Sequence, residues 1–67
     1  MLVIPGSVPL KNMIFIMAIL DIVTPEGINY TKTDKGIEIP MDENDFSKLN
    51  KIFDLTTHGG EYHVSGN

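Results

Sequence analysis

His58, Glu61 and His63 form the only cluster of metal-ligand residue types in the chain, spaced by three and then two residues. Imidazole and carboxylate donors suit zinc or nickel, and Gly59-Gly60 would let the backbone fold back between them. If residues 61–64 run as a strand, Glu61 and His63 share one face, while His58 stands before the glycine turn. That spacing does not by itself converge three ligands. The three residues are therefore weak metal candidates, and the ordinary expectation is a solvated loop followed by a polar strand face, with no bound metal or cofactor. Asp21 is the second candidate, because it interrupts the apolar run of residues 13–23. A carboxylate in a covered segment needs a hydrogen bond, a partner or an edge position, and one with a raised pKa could serve as a catalytic acid. Its place just before the turn at Thr24 points instead to solvent or a turn amide.

Charge supplies a third candidate. Asp42, Glu43 and Asp45 crowd together, and Glu26, Glu38 and Asp54 would extend them toward the surface of an acidic DNA-mimic inhibitor of a nucleic-acid enzyme. The preference of carboxylates for helix N-termini explains the first three without any partner, and the net charge is only −4. All five basic residues are lysines; arginine, which reads guanine edges and clamps phosphates, is absent. Lys32, Lys35, Lys48 and Lys51 beside Tyr30 make a weak patch interleaved with acids, so direct nucleic-acid binding is not expected. His58-Gly59-Gly60 matches an oxyanion-hole motif of some esterases, but no serine elbow accompanies it. A chain of 67 residues has little room for a pocket and the residues that support one, so the expectation is a protein without enzymatic activity.

The same length allows one domain, residues 1–67. Such a chain buries only about 60% of the surface its unfolded state exposes, leaving a margin of a few kcal/mol. No cysteine is present to add a disulfide or a thiolate zinc site. The 42% hydrophobic content is that of a folded protein. Ala18 is the only alanine and glutamine is absent, a bias that AT-rich coding in a low-GC bacterium or its phage would produce. The run of residues 13–23 is too short for a bilayer, which takes about 20 apolar residues. Asp21 falls inside it and only Lys11 precedes it, so neither an anchor nor a signal peptide is expected. The expectation is a cytoplasmic protein with no membrane partner.

Several elements are legible. Leu2-Val3-Ile4, stopped by Pro5-Gly6, belongs to an extended N-terminal arm over residues 1–12. Residues 13–23, rich in Ile, Val and Phe15, read as a central strand covered on both faces. Thr24-Pro25-Glu26-Gly27 is a turn, Ile28 to Thr33 a strand, Asp34-Lys35-Gly36 a second turn, and Ile37-Glu38-Ile39 a strand that Pro40 ends. A helix follows, with Asp42 as N-cap, Asp45 at its third position, and Met41 and Phe46 as a hydrophobic staple. Phe46, Leu49, Ile52 and Phe53 form its apolar stripe. Residues 61–64 suggest a short edge strand, and residues 65–67 a polar tail. The fold class is α+β: a small antiparallel meander of three to five strands with one amphipathic helix packed on one face.

Ile22-Val23-Thr24-Pro25-Glu26-Gly27, after an apolar stretch, is similar to the opening strand and turn of the epsilon subunits of rotary ATP synthases. The likeness is confined to those residues and carries no family assignment, because a helix stands after Pro40 where that family continues in strands. The functional expectation is a non-enzymatic protein-binding module, such as a small phage-type inhibitor or accessory subunit acting through an edge strand or helix face. The alternatives are a small self-associating regulatory protein and the acidic DNA mimic. Asp42, Glu43, Asp45, Phe15 and Met17 are the expected partner-binding residues. Apolar surface around Leu2, Val3, Ile4, Phe15 and Met17 is expected to be covered by a protein partner, with a homodimer preferred.

Overall fold

Leu2, Val3 and Ile4 are too few for a helix, and a short unbroken apolar run suits a strand covered on both sides. In the computed structural model, which describes residues 1–64, this run is one of the two inner strands of the sheet. The elements in order are β1 (Leu2–Pro5), α1 (Leu10–Val23), β2 (Thr31–Thr33), β3 (Gly36–Ile39), α2 (Glu43–Phe53) and β4 (Glu61–Tyr62). The four strands form one antiparallel sheet in the order β2-β3-β1-β4. The fold is α+β, as the sequence indicates. The segment 65–67, read as a polar tail, lies outside the described residues.

Register sets what each sheet face carries. Leu2 stands opposite Ile39 and Tyr62, and Ile4 opposite Ile37. These side chains point to one face, where Leu2, Ile4 and Ile39 meet Ile16, Ile19 and Leu20 of α1 and the fully buried Leu55. Phe46, Leu49 and Phe53 of α2 pack half-buried against the same cluster, so both helices cover one side. On the other side Val3 stands between Glu38 and Glu61. Val3 is buried as well, so that side of the sheet exposes no apolar patch at β1.

Residues 13–23 are not a central strand but most of α1, a helix of 14 residues. Their β-branched content favours a strand, yet the run is longer than the usual 4–8 residues of a buried strand, and length is the better arbiter. Pro9 precedes the helix, and its carbonyl accepts from the N–H groups of Asn12 and Met13. Within the extended arm expected over residues 1–12, Leu2–Pro5 forms β1 and pairs with β3 and, at Leu2 and Val3, with β4, while Leu10 to Asn12 open α1. The strand expected from Ile28 shortens to β2.

The other helix starts where the sequence places it. Asp42 Oδ1 accepts from the Asp45 N–H at 2.8 Å, Glu43 and Asp45 lie in the first turn, and Lys51 lies in the last, which suits the helix dipole. Asp54 takes a left-handed conformation and ends it. Ile52 departs from the expected stripe, being 70% exposed. The Thr24-Pro25-Glu26-Gly27 turn closes through Gly27 N–H to the Thr24 carbonyl at 3.0 Å. Gly36 sits at φ 134°, and a Cβ there would collide with the Ile4 carbonyl oxygen, so the β2–β3 hairpin can meet β1 only with glycine at that position. Among the described residues, no helix is long and apolar enough to cross a membrane.

These contacts differ in weight. Leu55→Ala is expected to cost about 3 kcal/mol and Asp42→Ala about 1 kcal/mol in urea melts. An equal cost for both would contradict the assignment of Leu55 to the core.

Candidate functional site

The C-terminal histidines are held apart by their own hydrogen bonds. His58 Nδ1 lies 2.9 Å from the Asp54 carbonyl oxygen, an acceptor, so Nδ1 carries the proton and donates. Its ring stacks on Phe15, with centroids 4.0 Å apart and 21° between planes. His63 Nε2 points elsewhere, 2.9 Å from Glu61 Oε1. The strand expected over residues 61–64 shortens to β4 (Glu61–Tyr62), so His63 lies just beyond it with its ring bonded to Glu61, while His58 is turned onto α1. Among the described residues, no three His, Asp or Glu groups converge on a metal position. The backbone of His63 ties down the N-terminus. Its N–H donates to the Met1 carbonyl at 2.8 Å, and its carbonyl accepts from the Met1 ammonium at 2.9 Å.

Asp42, Glu43 and Asp45 are exposed at the start of α2, and the Asp42 carboxylate is engaged as the cap. Tyr62 lies beside this turn. Its hydroxyl donates to the Met41 carbonyl at 3.1 Å, and its ring meets Phe46 at a centroid distance of 5.2 Å. Desolvation against these groups, then the negative charges of Glu43 and Asp42, raises the phenol above its ordinary 10.0. Asp21, exposed on α1, is not a buried acid. A groove of about 440 Å³ between the end of α1 and α2 is lined in part by Glu26, Asp45 and Lys48. All three are exposed, and none of them enters an ion pair among the described residues.

Most of the exposed large apolar side chains lie along α1. Leu10, Ile14, Phe15 and Ile22 are 69, 58, 39 and 79% exposed, and Ala18 between them is exposed as well. Beside this row, Met13, Ile14, Met17, Ala18, Asp21 and Ile28 line an open groove of about 450 Å³. Met13 and Met17 also line a second groove, of about 420 Å³, with Tyr30 and Ile37. Methionine side chains adapt to varied shapes, as promiscuous protein-binding surfaces require. Of the residues expected at a contact surface, Phe15 is part of the exposed row and Met17 lines the grooves beside it. Leu2, Val3 and Ile4 do not: all three are buried within the subunit, because β1 has a strand on each side. Leu10, Ile14, Ala18 and Ile22 share one stripe only on a helix, at four-residue spacing; because α1 is apolar on its inner stripe too, the sequence alone does not mark which stripe faces outward.

No protein family, curated protein or solved structure matches this chain.

The position of Tyr62 gives a pH dependence. A phenol held above 10.0 in the folded state keeps its full contribution below the unfolded value and loses it as pH rises through the folded one. Stability is therefore expected to fall on the alkaline side, and Tyr62→Phe to lessen that fall. Urea melts from about pH 9 to about pH 11 test this, and an unchanged alkaline slope in Tyr62→Phe would contradict the assignment.

Proposed function

We propose that the protein is a non-enzymatic protein-binding module, of the kind that serves as a small inhibitor or accessory subunit, with the outward face of α1 as its contact surface. The observation that carries this reading is the row Leu10, Ile14 and Ile22, each more than half exposed on one 14-residue helix. Scattered exposed apolar residues are normal, whereas a contiguous patch marks a binding site. A helix that is apolar all round, as α1 is, is ordinarily covered on all sides, and here only its inward side is covered by the subunit. Support also comes from the flanking methionine-lined grooves, which widen the surface. The acidic turn at Asp42, Glu43 and Asp45 has a sufficient explanation in helix capping and dipole complementarity, and so gives less support to a DNA mimic.

A photoreactive amino acid placed at Ile14, Ile22 or Glu43 in the full chain, expressed in its native host, tests the reading. Discrete protein adducts are expected from positions 14 and 22. Adducts from position 43 alone, or from none of the three, would overturn it.

A further inference from the structure

We infer that this face also pairs with a second copy of the chain, in competition with any other partner, the two α1 helices packing antiparallel about a two-fold axis. This rests on the reading of the α1 face as a contact surface. What lies at each level of the helix favours that arrangement. A two-fold axis perpendicular to α1 and level with Ile16 brings Leu10 of one copy level with Ile22 of the other. The same axis sets Ile14 level with Ala18, and Lys11 level with Asp21. Each large aliphatic side chain thus meets either another at the ends or the small Ala18 near the centre, where the helices must approach most closely. The opposite charges coincide twice.

Parallel packing does the reverse. It sets Lys11 beside Lys11 and Asp21 beside Asp21, with Ile14 against Ile14 and a gap where two copies of Ala18 meet. Lys11 and Asp21 are both exposed, and among the described residues neither forms an ion pair within the subunit. They are also the only two charges in α1, placed one near each end of an otherwise apolar face. A self-complementary patch of this kind is what a two-fold interface demands, since each residue must serve as both donor and recipient of the same contact.

Magnitude sets the strength. The helix is about 21 Å long on a molecule whose longest extent is 30 Å. Leu10, Ile14, Phe15 and Ile22 leave roughly 400 Å² of apolar surface in water, within the range of the largest patch on a typical monomer. A standard interface buries about 800 Å² per partner, so this patch is a small one and the dimer is expected to dissociate on dilution.

Sedimentation of the full chain across a concentration range, with a charge-swap cycle, tests the proposal. The parent is expected to show a monomer–dimer equilibrium. Lys11→Glu alone and Asp21→Lys alone each set like charges together at two symmetric places, and each is expected to weaken dimerisation about tenfold. The chain carrying both changes is expected to recover affinity to within about threefold of the parent. Circular dichroism confirms that each variant is folded, and Ile14→Ser, expected to weaken dimerisation without relying on charge, provides a second approach. A dimer indifferent to both single swaps, or one that the double swap fails to restore, overturns the antiparallel arrangement. A parent that stays monomeric at the highest concentration overturns self-association; adducts to another protein from position 14 would then leave the contact-surface reading standing.

Discussion

The burial of Leu2 and Ile4 against Ile16, Leu20 and Leu55 is the contact on which the rest of the structure depends. All five side chains are fully buried or nearly so, and they join β1, α1 and the segment after α2 across the whole length of the chain. Because β1 is inside the sheet, it orders β3 on one side and β4 on the other. Both α1 and α2 lie over its inner face, where Phe46, Leu49 and Phe53 pack against the same cluster as Ile16, Ile19 and Leu20. A domain this small has one core and no disulfide to relieve it. Each element therefore has a single way to cover its apolar surface.

That constraint explains why α1 is left over-supplied. One stripe of a helix meets the core, and residues such as Ile16, Ile19 and Leu20 fill it. Leu10, Ile14 and Ile22 fall on the opposite stripe, where the subunit has nothing to set against them. The polar features, by contrast, are largely accounted for inside the fold. Asp42 is bonded to the backbone of α2, His58 to the Asp54 carbonyl, and Glu61 to His63. Apolar surface rather than titratable chemistry is what this molecule offers to its surroundings.

Local signals in the sequence were readable wherever one residue type has one physical use. Asp42 before α2, Pro25 and Gly27 in a turn, and Gly36 at the hairpin all stand where capping and turn chemistry put them. The nature of α1 was not readable from residue preference, since Ile, Val and Phe favour strands and only the length of the run argues for a helix. The central position of β1 was hidden for a related reason. Three apolar residues ahead of a proline look like a loose end until two distant strands are known to pair with them. Of the apolar residues expected at a contact surface, Phe15 and Met17 lie on the outer side of α1 or in the groove beside it, whereas Leu2, Val3 and Ile4 are in the core that β1 creates.

The division of α1 into an inner and an outer face is the claim on which both fold and function rest. Urea denaturation of Ile16→Ser and Ile14→Ser, two residues apart on that helix, measures it most directly at a concentration where the protein is monomeric. Ile16→Ser is expected to lose about 3 kcal/mol or more, enough to unfold much of so small a domain, and Ile14→Ser to stay within about 0.5 kcal/mol of the parent. Equal losses at the two positions, or the larger loss at Ile14, would contradict the account.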